Sequence, residues 1–284
     1  MARIRTDLAL ESLEELGGPE QLSQLEGVSV AEYIRQGYAV TDVRIRSEAG
    51  ASRLEKPPGR YVTIDLRPCL RQEPGFFTRA VNCLAHELRT LLPGRGPDFP
   101  VLVAGLGNRA MTADAVGPLA LESLLVTRHM IRALPRQFRD FTPVSAVAPG
   151  VLADTGMETQ ELLRGAVSAV RPAAVIAIDA LAARSRHRLC ATLQLGSTGL
   201  IPGSGVGNHR SALNAETLGV PVIAVGTPTV IAASHLGDDT EEPLFLTPRD
   251  IDSRVHQLSR LLGYGITLAL HDTLTIPDIT SLLG

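Results

Sequence analysis

The stretch VLVAGLGNRAMTADAVGP, residues 101–118, decides the fold class of this chain. It begins with an apolar run, Val101–Ala104, that is typical of a strand covered on both faces. A glycine-rich turn follows, and beyond it lies a single acid, Asp114. Such a turn after a buried strand is where α/β proteins bind phosphates or carry out chemistry. The stretch therefore predicts an α/β fold and marks a candidate site.

Three further apolar runs of the same kind follow along the chain: VSAVAPG at 144–150, AVIAIDAL at 174–181 and PVIAVGTP at 221–228. Helical segments separate them, which predicts β-α-β crossovers and parallel core strands. Residues 41–47 and 59–66 alternate apolar and polar side chains, which predicts an antiparallel hairpin with an exposed connection. We expect a single α/β domain with a mixed, mainly parallel central sheet and helices on both faces.

Helical spacing and end signals predict the remaining elements. Residues 7–36 look helical but polar and are interrupted at Gly17–Pro19, so we expect a loosely packed N-terminal region with little core. Thr247 is the expected N-cap of the last helix. The predicted helices are Gly75–Leu92, Ala115–Leu134, Met157–Val170, Ser211–Thr217 and a last one from about Pro248 to His271.

Composition narrows the class of protein. A hydrophobic fraction of 44% in 284 residues is enough for a sizeable core. The net charge of −3 gives no global attraction to nucleic acid or to an anionic membrane. No apolar run approaches the roughly 20 residues of a membrane span, and the start MARIRTDLALE is charged. Three cysteines without C-x-x-C spacing suggest no disulfide framework. We expect a cytoplasmic protein without nucleic-acid or membrane partners.

Two acids are the candidate catalytic residues. Asp114 follows the first apolar run and Asp179 ends the run AVIAID, so both are expected at the carboxyl edge of the sheet. Either acid could instead cap a helix, Asp114 one that begins near Ala115 and Asp179 a short one over ALAARS. Together they favour catalysis, because two carboxylates in different environments can divide the roles of base and acid between them. The sequence leaves open which acid takes which role.

Other chemistries find less support. GLGNRA satisfies G-x-G-x-x-A, but VSAVAPG does not end in the acid that a dinucleotide site needs. There is no phosphate loop, and Pro202 occupies the first glycine position of a G-x-S-x-G motif. The seven histidines form no H-x-x-x-H pair, and His209, in a glycine-rich loop, is the one retained as a candidate. Lys56 is the only lysine among 27 basic residues, and we assign it no function from the sequence.

The motifs together resemble the spore germination protease family, which degrades small acid-soluble spore proteins. The resemblance rests on five motifs: the N-terminal RTDLALE, GLGNRAMTADAVGP at residues 105–118, APGVLADTGMETQELL, AVIAIDALAARS and GSGVGNHRSALNAETLGVPVIAVGTPTVI. It implies that Asp114 and Asp179 are the catalytic pair. It also implies a zymogen that cuts itself between Asp7 and Leu8, which divides the chain into a short propeptide, 1–7, and a protease domain, 8–284.

The resemblance implies further properties. The substrates are spore proteins, the location is the forespore or spore core, the assembly is a homotetramer, and no cofactor is needed. The turn at Gly105, Gly107 and Asn108, together with His209, is expected to bind substrate, with backbone N–H groups available to an oxyanion. The segment after TPTVI is shorter than in the family, and Ala232-Ala233 replace part of its usual VDA motif.

Two alternatives remain open at this stage. The fold is similar to that of the hydrogenase-maturation endopeptidases, in which acids and a histidine bind a metal. By that analogy Asp114, Asp179 and His209 would hold nickel or zinc, although this is a thin ligand set. The second alternative is a non-catalytic module that binds a peptide in the same cleft.

Overall fold

The computed structural model describes residues 6–16, 26–70, 73–206, 210–232 and 244–283. The strands are β1 Val28–Arg35, β2 Tyr38–Ile45, β3 Gly59–Asp65, β4 Val101–Gly105, β5 Val144–Val147, β6 Ala174–Ala183, β7 Thr192–Gly196, β8 Val222–Ala232 and β9 Phe245–Leu246. The helices are α1 Ala9–Glu15, α2 Glu48–Leu54, α3 Arg67–Leu70, α4 Phe76–Leu91, α5 Val116–Glu122, α6 Arg128–Ala133, α7 Pro135–Phe138, α8 Leu152–Thr155, α9 Thr159–Val170, α10 Ala215–Leu218, α11 Ile251–Leu270 and α12 Ile276–Leu283. Among these residues, no helix combines the length and the apolar character that a bilayer crossing requires.

One mixed sheet organises the chain, in the order β1-β2-β3-β7-β8-β6-β4-β5, with β9 on β8. The four strands predicted from the apolar runs, β4, β5, β6 and β8, are parallel to one another. The predicted hairpin of β2 and β3 is antiparallel, and β7 joins it to β8. The α/β class and the mixed sheet are therefore confirmed. Strand β7 was not predicted, although TLQLG alternates as a strand does.

Helices cover both faces of the sheet because alternate residues of each core strand face opposite ways. Val101 and Val103 of β4 belong to the larger core, which β4 shares with α4, α5 and α11. Leu102 and Ala104 belong to a second core with Leu163 of α9. A third, smaller cluster packs α1 and α2 against β2 and β3. The prediction that helices cover both faces is confirmed, but the helix predicted over Ser211–Thr217 is only the short α10 that begins at Ala215.

The prediction for the N-terminal region was right for α1 but wrong for β1, and the predicted interruption at Gly17–Pro19 lies outside the described residues. Residues 28–35 form a strand instead of a helix, because VSVAEYIR pairs along its whole length with β2 through a turn at Gln36 and Gly37. The described residues around Leu8 are also not loosely packed. Leu8 and Glu11 are fully buried and Ala9 is nearly so. Buried contacts with the rest of the chain, which a single sequence does not display, fix this segment in place.

Three local predictions also need correction. The helix predicted over 115–134 is interrupted between α5 and α6, where Thr127 donates its hydroxyl to the Thr142 carbonyl and its N–H to the Val144 carbonyl. The connection between β2 and β3 contains α2 and is not a simple exposed loop. Asp250, not Thr247, occupies the N-cap position of α11, without a side-chain cap bond.

Strand β6 extends beyond its neighbour, and this difference in length creates the site. The last paired residue of β4 is Gly105, which lies opposite Ile178, whereas β6 continues to Ala183. A register shift after Leu181 bends its final residues relative to β8. The edge of β6 beyond Ile178 is therefore not covered by β4 and is available to another extended segment.

Candidate active site

Asp179 is a buried acid in the middle of β6. Only 6% of the residue is exposed, and Oδ1 accepts the N–H of Ala180 at 3.0 Å. Burial, together with the negative charges of Asp114 and Asp7, raises the pKa of Asp179 well above its ordinary value. Because the strand continues through Ala183, Asp179 does not cap a helix over ALAARS. The helix-cap interpretation of this acid was wrong.

Asp114 ends a short 3-10 turn, Thr112–Asp114, between β4 and α5. Ala115, not Asp114, is the N-cap residue of α5. The carboxylate instead reaches back to the glycine turn, where Oδ2 accepts the N–H of Asn108 at 2.7 Å. Burial raises the pKa of Asp114, and the Asn108 hydrogen bond partly offsets the rise.

One cavity brings the two acids together. Asp114 and Asp179 both line it, and the charge of Asp114 contributes to the raised pKa of Asp179. Asp7, from the far N-terminal end of the described chain, lines the same cavity. Two buried carboxylates, one of which raises the pKa of the other, can hold one proton between them, which is the state in which one acts as acid and the other as base.

The residues expected to bind substrate have different positions. Gly107 lines the cavity; its φ of +105° and the Asp114 carbonyl oxygen, 2.1 Å from where a Cβ would lie, require glycine there. Asn108 uses its N–H to hold Asp114, so that donor is not available to an oxyanion in this arrangement. Gly105 is buried against the backbone of Gly117. His209 lies outside the described residues.

The segment at Asp7 and Leu8 lies across the site. The N–H of Asp7 donates to the Ala182 carbonyl at 3.2 Å, on the free edge of β6. Its carboxylate accepts the Ala182 N–H at 2.9 Å and the Ser204 hydroxyl at 2.6 Å. The next residue, Leu8, is fully buried beside Leu181. The expected processing bond therefore lies in the same cavity system as Asp179.

Two polar side chains that were not predicted contact this segment. Lys56 Nζ donates to the Asp7 carbonyl oxygen at 3.0 Å, and Gln194 Nε2 donates to the same oxygen at 2.9 Å. The sequence contains one signal for Lys56, since it is the only lysine in the chain. Gln194 had no signal, because the strand that contains it was not predicted. Both residues line a cavity that includes Asp7 and Asp179.

The donor set for a metal is small. Among the described residues there is no group of three or more His, Cys, Asp or Glu side chains placed to hold a metal ion. Asp114 and Asp179 are the acids of the proposed nickel or zinc set, and its third member, His209, is not among those residues. The described residues therefore offer a dyad of carboxylates rather than a metal cage.

Comparison with known proteins identifies the family. A family profile described as germination protease matches residues 5–245. The chain belongs to the germination protease family. The germination protease of Clostridium perfringens is 35% identical over the full length of both chains. That of Priestia megaterium is 40% identical over 97% of this chain and 76% of its own. The family makes this chain a peptidase of the germination protease type.

One solved structure also resembles the fold. It is the [NiFe] hydrogenase maturation protease HycI from Thermococcus kodakarensis, which is 18% identical, covers 63% of this chain and 98% of its own, and has a TM-score of 0.37. A similarity this low carries no argument about the site or about a metal.

Proposed function

We propose that this germination protease homologue is an aspartate-dependent endopeptidase that hydrolyses small acid-soluble spore proteins during germination. The observation that carries the proposal is the pairing of two buried carboxylates, Asp114 and Asp179, in a cavity that Asp7 of the chain's own N-terminal segment also lines, bonded to the edge of β6. The charge of each acid is disfavoured by burial, which is unfavourable for stability and useful for proton transfer.

The two acids take different roles in this proposal. The pKa of Asp179 is raised well above its ordinary value, so this residue carries the shared proton and acts as the acid. Asp114 holds its charge with the Asn108 N–H and acts as the base. Water loses a proton to Asp114 and its oxygen bonds to the scissile carbonyl carbon. Asp179 then gives its proton to the leaving nitrogen as the carbon–nitrogen bond breaks. Exchange of one proton with solvent restores the starting state.

Latency follows from the same geometry. Asp7 occupies the free edge of β6 at Ala182, where an extended substrate would bind by strand addition. The chain is thus proposed to be a zymogen that cuts itself between Asp7 and Leu8, releasing 1–7 from a protease domain, 8–284. We also propose the location and assembly that the family resemblance implies, the forespore or spore core and a homotetramer.

Activity of two acid variants tests the proposal. Asp114→Asn and Asp179→Asn should each lower hydrolysis of an unstructured spore-protein substrate by at least about 10²-fold, as is typical when a general acid or base is lost. Asp42→Asn is the matched control, since it removes a buried acid that lies outside the cavity. Near-normal hydrolysis by the two cavity variants would reject Asp114 and Asp179 as the catalytic pair. Tight substrate binding without hydrolysis by the folded wild-type chain would favour the non-catalytic peptide-binding module.

Dialysis against a chelator separates the carboxylate mechanism from the metal-dependent alternative. Activity should be unchanged, because in the proposed mechanism Asp114 alone activates water. Loss of activity that nickel or zinc restores would support the metal-dependent endopeptidase instead.

A further inference from the structure

We propose that Lys56 and Gln194 form a carbonyl clamp, which binds the carbonyl oxygen of the residue before the scissile bond and stabilises the negative charge that develops on it. The inference rests on the proposed function, because it takes the Asp7–Leu8 peptide as a bound substrate. It assigns catalytic work to two residues outside the aspartate pair.

Convergence on one oxygen is the first argument. The Asp7 carbonyl oxygen accepts from Lys56 Nζ at 3.0 Å and from Gln194 Nε2 at 2.9 Å. Oxyanion donors in peptidases lie about 2.7–3.1 Å from the oxygen that becomes charged. Two donors from two different elements, one a cation, meet at the carbonyl that hydrolysis at Asp7–Leu8 would attack. This arrangement polarises the bond and prepares the site for the tetrahedral intermediate.

Gln194 also fixes the position of the peptide. While Nε2 donates to the Asp7 carbonyl, Oε1 accepts the N–H of Ala9 at 2.6 Å. One amide side chain therefore holds the main chain on both sides of the Asp7–Leu8 bond. These contacts involve only backbone groups of the bound segment, so an external substrate of different sequence can make them as well.

The sheet places the carbonyl clamp and the buried acid on the same face. Gly226 of β8 pairs with Asp179 on one side and with Gln194 on the other, and paired residues project to the same face. A Cβ at Gly226 would lie 2.7 Å from Leu181 Cγ and 2.9 Å from the Asp179 carbonyl oxygen, so only glycine fits between them. The peptide that Gln194 holds is thus bound next to the acid that donates the proton.

Two backbone donors of the glycine turn are engaged elsewhere in the present arrangement. The Asn108 N–H is bound to Asp114, and the Leu106 N–H donates to the Ile178 carbonyl at 2.8 Å. Because these backbone N–H groups already have acceptors, the side chains of Lys56 and Gln194 are the donors to the oxyanion in this proposal.

The electrostatics of Lys56 support a functional role. Its side chain is half-buried, and desolvation of the ammonium group lowers its pKa, while nearby acids including Asp7 and Glu11 partly offset the change. The desolvation that lowers this pKa makes the charged form of Lys56 unfavourable in the folded chain, so the charge reduces stability. The same charge becomes favourable when an oxyanion forms next to it. A charge that is unfavourable in the folded chain but favourable beside an oxyanion is expected of a residue that stabilises the transition state.

Paired measurements of rate and stability test the carbonyl clamp. We would measure self-cleavage at Leu8 by intact mass, and in a chain beginning at Leu8 the hydrolysis of a peptide with the sequence of residues 4–11, IRTDLALE. Lys56→Met should lower both rates by about 10²-fold or more, mainly in kcat, as loss of one oxyanion donor does. Its Tm should stay unchanged or rise. Gln194→Met should lower kcat and also raise KM, because it loses the contact with the residue-9 N–H.

Arg89→Met is the matched control. Arg89 is another partly buried cation whose pKa burial lowers and whose guanidinium donates to two carbonyl oxygens, those of Leu268 and Ala269, outside the cavity. It should keep the wild-type cleavage rate.

The outcomes separate the two proposals. If the wild-type chain cuts at Leu8 and Lys56→Met cuts within threefold of its rate, the clamp is wrong while the protease stands. Equal rate losses in Lys56→Met and Arg89→Met, each with a lower Tm, would make Lys56 a structural residue and also reject the clamp. A wild-type chain that cuts neither itself nor the peptide, while folded, rejects the proposed function and the clamp with it.

Discussion

At the scale of single residues, two buried aspartates of this chain have opposite environments. Asp179 has neighbouring acids, and burial together with these charges raises its pKa. Asp42 is also buried, and burial opposes its charge, but hydrogen bonds from Arg60 and Arg44 outweigh that effect and lower its pKa. The charge of Asp42 therefore stabilises the folded chain, and the charge of Asp179 destabilises it.

Substitution by asparagine should reveal this difference in stability. At neutral pH, Asp179→Asn should raise the free energy of unfolding, because burial and the neighbouring acids that raise the pKa of Asp179 make its charge unfavourable in the folded chain. Asp42→Asn should lower it by about 1–3 kcal/mol, the range for hydrogen bonds to a charged group. Denaturant unfolding of the two variants beside the wild-type chain measures both changes.

The pH dependence gives the sign of each contribution. The folded pKa of Asp179 is raised, so its favourable contribution is complete below about pH 4, the ordinary pKa of a carboxyl group, and is lost as the pH rises through the folded value. The folded pKa of Asp42 is lowered, so its contribution is present above about pH 4 and is lost as the pH falls through the folded value. Asp179→Asn should therefore match the wild-type stability in acid and exceed it at neutral pH. A lower stability of Asp179→Asn at neutral pH would contradict this account.

At the scale of elements, α1 is fixed to the end of β6 by one acid. Glu11 is fully buried, and its carboxylate accepts the N–H groups of Arg184 at 2.7 Å and Ser185 at 2.9 Å. The hydroxyl of Thr6 donates to the same carboxylate. Leu8 and Ala9 add buried apolar contacts. The helix that follows the proposed cleavage site is therefore part of the folded domain.

Loss of this anchor should cost about 3 kcal/mol. Glu11→Ala removes the acceptor from the N–H groups of two half-buried residues, Arg184 and Ser185, at about 1–3 kcal/mol each. Glu48→Ala, which removes an exposed acid from the first turn of α2, should change stability by well under 1 kcal/mol. Thermal unfolding of the two variants measures the difference. Equal Tm values would mean that Glu11 does not hold α1 to the sheet.

The elements that the sequence predicted well are those whose burial shows in local pattern. The apolar runs of β4, β6 and β8 predicted parallel core strands, because strands covered on both faces are apolar along most of their length. Strand β1 was missed although its partner β2 follows directly after Gly37, because residues 7–36 were interpreted as one polar helical region. The packing of α1 was missed because its partners lie far along the chain. Asp179 was expected at a strand end because the run becomes less apolar there, whereas β6 continues along an edge that Asp7 occupies. Lys56 and Gln194 meet at Asp7 only in the fold, so no spacing in the sequence could predict that contact.

At the scale of the whole molecule, the N-terminal segment and the parallel half of the sheet together make the site. Asp7 is held by hydrogen bonds of its carboxylate, N–H and carbonyl oxygen, whereas the chain from Leu8 onward is held by buried apolar contacts and by the hydrogen bonds of Glu11. A cut between Asp7 and Leu8 would leave these later contacts intact. We therefore expect release of the N-terminal part to free the edge of β6 without changing the rest of the fold.

A chain that begins at Leu8 should consequently hydrolyse an unstructured spore-protein substrate from the first moment, whereas the chain from Met1 should show a lag. The lag should match the rate at which the N-terminus at Leu8 appears in intact-mass spectra, because the occupied edge of β6 admits no substrate until residues 1–7 leave. The full-length Asp114→Asn variant should not cut itself. Added to the full-length wild-type chain, it should not shorten that chain's lag. Adding a trace of the chain that begins at Leu8 shows whether cutting occurs between molecules, since it would then shorten the lag. Full activity without a lag in an uncut chain would mean that the segment before Leu8 leaves the site readily and is not an inhibitory propeptide.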